Sequence, residues 1–206
     1  ESDATRVRTR HRNTRNTRNL LEALAGAGRS PRVVVLASSA NIYGNATVES
    51  IHEEVAPAPA HDYAVSKLAM ELMASLWKDR LPIVIARPFN YTGQGQSGNF
   101  VIPKMVDHFK RRAQLIELGN LDAKRDWGFA GDYVEGMWRM LQADEPNDYV
   151  VATGTSYSVG DFVRMAFEHA GLDWEKHVKF DPRYLRPTEV DDLIGDASRA
   201  QELLGW

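Results

Sequence analysis

The sequence predicts an α/β fold in which helices cover both faces of a parallel sheet and a smaller α/β region follows. The predicted strands Arg32–Ala37 and Pro82–Ala86 carry apolar runs, as expected of parallel strands that are buried on both faces. A helical pattern over Asp62–Lys78 lies between them, and strand, helix and strand in this order imply a right-handed crossover. After Arg87 the apolar pattern becomes irregular, which indicates a second region.

The first half of the chain contains two predicted helices. The run Arg12–Asn19 repeats Arg-Asn-Thr with a period of three, which fits no buried face and predicts a frayed, solvated arm. The helix that follows it is predicted from the stripe Leu20, Leu21, Leu24 and Ala27, with Gly26 and Gly28 at its end. The helix Asp62–Lys78 is predicted to be capped near His61, and its inward residues are predicted to be Leu68, Leu72, Met73 and Leu76.

In the second half, Thr92–Asn99 is rich in Gly, Gln and Ser, which predicts a mobile loop over a site. Helices are predicted at Val101–Arg112, Tyr133–Leu141 and Val159–Ala170, and strands at Leu115–Leu118 and Tyr149–Ala152. We therefore predict a partial Rossmann-like doubly wound sheet in residues 1–87. A substrate-binding domain, interleaved with late strands of that sheet, is predicted in residues 88–206.

Composition excludes several classes of protein. The chain has 206 residues, of which 43% are hydrophobic, which is enough for a core, and its net charge of −3 does not suit a nucleic-acid-binding protein. It contains no Cys, and its six His are scattered without metal-ligand spacing, so we predict no metal. Since no signal peptide and no apolar run near the roughly 18 residues of a membrane span occur, a cytoplasmic protein without a membrane partner is expected.

Chemistry is indicated by Tyr63 and Lys67, which lie one helical turn apart. An ammonium near a phenol favours the phenolate, so we expect Lys67 to lower the Tyr63 pKa from its usual value of about 10. Ser39, at the end of the first predicted strand, is placed to bind the oxygen whose proton Tyr63 exchanges. Together they predict hydride transfer at a carbinol carbon with a nicotinamide cofactor, against the alternative of an ordinary surface pair.

A dinucleotide-binding sheet begins with a strand, a Gly-rich turn and a helix. No G-x-G-x-x-G or G-x-x-G-x-x-G pattern precedes the strand Arg32–Ala37, which corresponds to the fourth strand of such a sheet. We therefore expect the chain to be a fragment without the pyrophosphate-binding half, and inactive on its own. NADP and NAD both remain open as cofactors, because the residue that reads the ribose is missing.

Two groups of motifs carry a resemblance to a known family. The set Ser39, Tyr63 and Lys67, together with Tyr43-Gly44 and Arg87-Pro88-Phe89-Asn90, resembles the extended short-chain dehydrogenase/reductases. The second half is similar to GDP-mannose 4,6-dehydratases, through the motifs Leu118–Asp122, Arg125–Gly128, Asp132–Val134, Val151–Gly154, Asp181–Tyr184 and Arg186–Val190. The stretch Arg87–Lys110 is more similar to the reductases that act on GDP-4-keto-6-deoxymannose.

The resemblance implies a GDP-hexose substrate, NADP or NAD as the cofactor, chemistry at sugar C4 and a homo-oligomer in the full-length form. It gives Tyr63 the role of general acid/base, Ser39 that of a donor to the C4 oxygen, and Lys67 contacts with Tyr63 and the cofactor. The other cofactor-binding residues that it implies are Ser38, Arg87 and Phe89. The substrate-binding residues that it implies are Asn90, Lys104, Arg125, Arg186 and Glu189, with both arginines towards the diphosphate and Glu189 towards the ribose.

One position departs from the dehydratase pattern. The dehydratases have a Glu two residues after the triad Ser or Thr, where this chain has Asn41, an amide that is no base near neutral pH. Glu53 and Glu54 are candidate substitutes from the following loop. The expected function is therefore that of a GDP-mannose 4,6-dehydratase, with a GDP-4-keto-6-deoxymannose reductase and a non-catalytic GDP-sugar-binding or structural fragment as the alternatives.

Overall fold

The computed structural model describes residues 12–185 and 193–206 of the chain. Its α-helices are α1 (Thr17–Gly26), α2 (Asp62–Ser75), α3 (Val101–Arg111), α4 (Ala130–Gln142), α5 (Val159–His169), α6 (Trp174–His177) and α7 (Ser198–Leu204). Its strands are β1 (Val34–Ala37), β2 (Ile83–Pro88), β3 (Asn90–Thr92), β4 (Ile116–Leu118), β5 (Lys124–Phe129), β6 (Tyr149–Val151), β7 (Ser156–Ser158) and β8 (Val178–Phe180). Short 3-10 turns occur at Ala40–Tyr43 and Pro182–Tyr184.

The main sheet is parallel and has the strand order β1-β2-β6. Val34 pairs with Ile83 and Ala37 with Ala86, while Ala86 also pairs with Tyr149 of β6. The predicted strand–helix–strand unit β1–α2–β2 is therefore confirmed, and the fold is α/β with a partial Rossmann-like sheet. All three strands end at the same edge, where doubly wound sheets bind their ligands.

Helix α2 begins as predicted, because the His61 side chain accepts a hydrogen bond from the Ala64 backbone N–H over 3.2 Å. Its predicted inward face is partly wrong: Leu72 is 62% exposed and Leu76 is 78% exposed. Ala64, Met70 and Ala74 are buried instead, and Met70 and Ala74 belong to the face that packs against β1 and β2. The helix also ends at Ser75, before the predicted Lys78.

The predicted arm at Arg12–Asn19 is helical in the structure. A π-helical turn over Arg12–Asn16 leads directly into α1. Asn13 Nδ2 donates a hydrogen bond to Ser66 Oγ of α2 over 2.9 Å, and Leu21 of α1 is fully buried. The expectation of a frayed arm was wrong because packing against α2 compensates for the unusual period of the sequence.

The second half forms two smaller sheets, with the strand orders β3-β5-β7 and β4-β8. Strands β3 and β5 are parallel, and β5 and β7 are antiparallel. The predicted helices and strands of this half appear within three residues of their predicted bounds, whereas β3, β5, β7 and β8 were not predicted. Among the described residues, no helix is long and apolar enough to cross a membrane.

Candidate active site

The candidate site begins at the carboxyl end of β1, where the chain turns into the 3-10 turn Ala40–Tyr43. Ser39 is the N-cap of that turn, with extended backbone angles, and its Oγ accepts a hydrogen bond from the Asn41 N–H over 3.3 Å. Asn41 Nδ2 donates to the same Oγ over 2.9 Å. Ser39 is buried, and these two bonds fix its hydroxyl at the sheet edge.

Tyr63 and Lys67 meet Ser39 from the first turns of α2. Lys67 Nζ lies 5.8 Å from the centre of the Tyr63 ring and donates to the Ala37 carbonyl, the last of β1, over 2.7 Å. The Ser39 hydroxyl acts on Tyr63 in the sense that lowers the Tyr63 pKa. The three residues predicted to be catalytic are therefore brought together at one strand end, while their catalytic roles stay predictions.

The charge state of this group differs from the expectation. Burial raises the pKa of the Tyr63 hydroxyl above its ordinary value, although the hydrogen bond from Ser39 opposes the shift. Burial likewise lowers the pKa of Lys67, with the nearby Glu71 carboxylate acting in the opposite sense. We expected Lys67 to lower the Tyr63 pKa; in the structure burial raises this pKa, and Ser39 is the group that favours the phenolate.

The residues predicted to bind the cofactor have different surroundings. Ser38 is buried, and its hydroxyl has no hydrogen-bond partner among the described residues. Arg87 is held in the interior, where its Nη2 donates to Glu71 over 2.7 Å and its Nη1 donates to the Tyr43 hydroxyl over 3.0 Å. Phe89 is part of the hydrophobic core. Cofactor binding by Arg87 and Phe89 stays a prediction, and their described contacts are those of residues that hold the fold.

The two glutamates proposed as substitutes for the missing dehydratase carboxylate are engaged elsewhere. Glu53 accepts a hydrogen bond from the Val150 N–H of β6 over 2.7 Å and is largely buried. Glu54 binds His52 and Arg199, and these hydrogen bonds lower the pKa of Glu54 to about 2. A carboxylate with so low a pKa is a weak base, which does not favour Glu54 as the substitute. The described contacts of Glu53 are those of a residue that holds β6.

Tyr91 is a neighbour of Tyr63 that sequence reasoning missed. It follows Asn90 in β3, contributes to raising the Tyr63 pKa, and its ring lies 5.3 Å from the ring of the buried Tyr133. Asn90, which is predicted to bind substrate, is exposed at the start of the same strand. The only sequence signal for Tyr91 was its position after the Arg-Pro-Phe-Asn motif.

The residues predicted to bind the nucleotide part lie in the second half. Lys104 of α3 donates to the Glu117 carbonyl, and its Nζ lies 3.6 Å from the centre of the Tyr184 ring. Glu117 also accepts a hydrogen bond from Arg183 Nη2 over 3.1 Å. Lys104 is thus grouped with Tyr184 and Arg183, which belong to one of the motifs behind the resemblance. These contacts leave the ammonium at the face of an aromatic ring, where a cation is stabilised.

Arg125 lies in β5, where it pairs with Tyr157 of β7, and its side chain is half-buried. The next residue, Asp126, is completely buried, so its carboxylate is not part of a surface ion pair. Arg186 and Glu189, the remaining residues predicted to bind substrate, lie outside the described residues. Their predicted contacts with the diphosphate and the ribose stay predictions.

Comparison with known proteins identifies the family. The model of the family described as GDP-mannose 4,6 dehydratase matches residues 4–206. The chain is 44% identical over 154 residues to GDP-mannose 4,6 dehydratase 1 of Arabidopsis thaliana, an alignment that covers 72% of this chain and 43% of that protein. The chain therefore spans about half of the length of the curated relatives that it matches.

Two solved structures are similar to this chain over nearly all of its length. A Burkholderia cenocepacia protein, provisionally named an epimerase, has a TM-score of 0.91 and 46% identity, covering 100% of this chain and 68% of that chain. The protein RMD from Pseudomonas aeruginosa, solved in complex with NADPH, has a TM-score of 0.87 and 30% identity, covering 98% of this chain and 69% of that one. With the family model matching almost all of its residues, the chain belongs to the GDP-mannose 4,6 dehydratase family.

Proposed function

We propose that this chain carries the catalytic residues and the sugar-nucleotide-binding part of an NAD(P)-dependent enzyme that transfers a hydride at C4 of a GDP-hexose. The observation that carries the proposal is the meeting of Ser39, Tyr63 and Lys67 at the carboxyl end of β1. Membership of the dehydratase family supports GDP-mannose as the substrate. Tyr63 is the general acid/base, and Ser39 donates a hydrogen bond to the reacting oxygen.

The residues present suit the nicotinamide end of a dinucleotide, which would accept or supply the hydride. Ser38 offers a buried hydroxyl without a partner among the described residues, and such an orphaned group is satisfied by a polar ligand. Lys67 is already fixed by the Ala37 carbonyl and has further protons to donate. NADPH in the related RMD structure supports NADP, and NAD remains the alternative.

The nucleotide part of the substrate is proposed to bind along Lys104, Arg125 and the segment that includes Arg186 and Glu189. Lys104 and Arg125 are cations that suit a diphosphate. The guanidinium of Arg125 is able to bind two phosphate oxygens at once, and the ammonium of Lys104 binds as a point charge. Membership of the GDP-mannose 4,6 dehydratase family supports the proposal. We further propose that the enzyme is cytoplasmic and forms a homo-oligomer.

A second function is favoured by one observation. Asn41 occupies the position of the dehydratase glutamate, and its amide, which is no base near neutral pH, donates a hydrogen bond to Ser39. Without that carboxylate, hydride transfer at C4 proceeds without loss of water, as in a reductase acting on a GDP-4-keto-6-deoxyhexose. A non-catalytic GDP-sugar-binding or structural role is the remaining alternative.

The test is Tyr63→Phe in the protein specified by the full coding region. We expect hydride transfer to fall by about 10²- to 10⁴-fold, because the general acid/base is lost, while GDP-sugar binding is retained. Mass spectrometry of GDP-mannose incubated with NADP detects the loss of water expected of a dehydratase. Consumption of NADPH only in the presence of the 4-keto sugar identifies a reductase.

The matched control is Tyr157→Phe, which removes the hydroxyl of an exposed tyrosine of β7. It should leave turnover unchanged. Undiminished turnover of Tyr63→Phe would refute the catalytic assignment. If the unaltered protein binds GDP-mannose but turns over neither substrate, the non-catalytic alternative is correct.

A further inference from the structure

Asn41 makes two hydrogen bonds to a single atom. Its backbone N–H and its side-chain Nδ2 both donate to Ser39 Oγ, at 3.3 Å and 2.9 Å. The backbone bond is the usual one between an N-cap residue and the turn that it begins. The side-chain bond is additional, and it decides what the hydroxyl of Ser39 is able to do.

A serine hydroxyl has one proton to donate and two lone pairs that accept. Asn41 occupies both lone pairs, so the proton of Ser39 must point to another acceptor. Tyr63 is the acceptor that the geometry offers, because Lys67 Nζ lies 5.8 Å from the centre of the Tyr63 ring and donates to the carbonyl of Ala37, two residues before Ser39. The effect of the Ser39 hydroxyl on the Tyr63 pKa is in the same sense, since it favours the phenolate form. Ser39 is itself buried, so water competes little for this proton.

We propose that Asn41 is a positioning residue that holds the Ser39 hydroxyl as a hydrogen-bond donor to the Tyr63 oxygen and, in the reaction, to the substrate oxygen. The second half of this statement rests on the proposed function, whereas the contact with Tyr63 does not. Where the dehydratases have a glutamate that transfers a proton, Asn41 thereby provides two fixed hydrogen-bond donors, its backbone N–H and its Nδ2. The site is specialised for proton exchange by Tyr63 alone.

The opposite orientation of the amide makes the opposite prediction. If Asn41 Oδ1 faced Ser39, it would accept the serine proton and turn it away from Tyr63. Removing the side chain would then lower the Tyr63 pKa. In the orientation of the structure, removing it frees a lone pair of Ser39 and weakens the donation to Tyr63.

The experiment is a double-mutant cycle that reads the Tyr63 pKa directly, by nuclear magnetic resonance of ring-labelled tyrosine assigned with Tyr63→Phe. We expect Asn41→Ala to raise the Tyr63 pKa in the otherwise unaltered protein. In the Ser39→Ala background the same substitution should have no effect, because its only route to Tyr63 is lost. Asn45→Ala, at an exposed position four residues along the chain, is the control and should leave the pKa unchanged in both backgrounds.

No rise in Asn41→Ala, a fall, or an equal rise in both backgrounds would each overturn the proposal. A merely structural role of Asn41 would change the melting temperature without this dependence on Ser39, so thermal melts are recorded for every variant. Because the titration needs no substrate, it gives an answer even if the proposed hydride transfer is not found.

In the active enzyme, the reaction in which Tyr63 accepts a proton requires the phenolate. Because Asn41→Ala should raise the Tyr63 pKa, the pH profile of kcat for that reaction should move to higher pH. At neutral pH we expect kcat to fall about tenfold with KM nearly unchanged, since the interaction acts on the reacting oxygen and not on substrate binding. An unchanged kcat profile with a raised KM would assign Asn41 to substrate binding instead and refute the positioning role.

Discussion

At the scale of single residues, the pair Arg87 and Glu71 shows how the fold supports the candidate site. Arg87 lies at the end of β2 and Glu71 on α2, and both side chains are almost fully buried. The guanidinium binds the carboxylate through two nitrogens and also donates to the Glu53 carbonyl over 2.9 Å. The pair therefore joins the helix that carries Tyr63 to the sheet edge.

Glu71→Ala should lower the free energy of unfolding by about 3 kcal/mol, because it leaves the buried Arg87 charge without its carboxylate partner. Denaturant unfolding followed by circular dichroism measures the change. Glu135→Ala is the matched control, since Glu135 pairs with Arg139 on the exposed face of α4. That surface pair should contribute about 0–1 kcal/mol. Equal losses in the two variants would show that the Arg87–Glu71 pair adds no more than a surface pair.

At the scale of elements, helices α3, α5 and α6 are joined by an aromatic cluster around His108. This side chain is 6% exposed, and its ring lies 5.6 Å from Phe167 and 6.0 Å from His177. Burial, and then the neighbouring His177, lower the pKa of His108. His177 is held by a hydrogen bond between its Nδ1 and the Gln114 carbonyl over 2.8 Å, so both rings are fixed.

The cluster predicts a loss of stability in mild acid. The folded-state pKa of His108 lies below the unfolded value of about 6.5, so the unfolded chain binds more protons in that window. The contribution is fully present above pH 6.5 and is lost as the pH falls towards the folded-state pKa. His108→Phe should flatten the pH dependence of unfolding between pH 7 and 5, as measured by denaturant unfolding at several pH values.

His169→Phe is the control for this effect, because His169 is exposed at the end of α5. It should leave the slope of stability against pH as it is in the unaltered protein. A slope that is the same in His108→Phe as in the unaltered protein would show that another group causes the acid sensitivity.

The elements that sequence patterns predicted well are those whose pattern follows from local burial. The runs in β1 and β2 are apolar because both of their faces are covered, and the cap of α2 is local to His61. Strand β5 was missed because Lys124-Arg125-Asp126 looks like a solvated segment. Its extended form depends on β3 and β7 and on distant partners of Asp126, which no local pattern contains.

In the candidate site, too, some features follow from the local sequence and others depend on distant contacts. The approach of Tyr63 to Lys67 follows from their spacing on one helix, and Ser39 is found at a strand end as expected. The proximity of Tyr91 to Tyr63 and the two hydrogen bonds from Asn41 to Ser39 depend on how β3 and the 3-10 turn fold around that strand end. The raised pKa of Tyr63 likewise reflects burial, which depends on the packed structure and not on the spacing of two residues.

At the scale of the whole molecule, Asp126 joins β5 to the carboxyl edge of the main sheet. Its carboxylate is completely buried and accepts hydrogen bonds from Thr153 N and Oγ1 over 2.9 and 2.6 Å. It also accepts from Gly154 N over 3.0 Å and from Gly195 N over 3.2 Å. Two segments distant in sequence therefore converge on this side chain, which connects β5 to the residues that follow β6 at the carboxyl edge of the main sheet.

We predict that Asp126→Asn lowers the free energy of unfolding by about 3 kcal/mol. An amide presents an NH₂ group where the carboxylate accepted, so at least one pair of these buried donors loses its acceptor. Asp122→Asn, an exposed change four residues earlier, should alter stability by less than about 0.5 kcal/mol. Hydrogen exchange gives the sharper result: the amides of Thr153, Gly154 and Gly195 should exchange faster in Asp126→Asn while those of β2 keep their protection. Uniformly faster exchange across both halves would mean that Asp126 supports the fold as a whole and does not act as a local connection between its two parts.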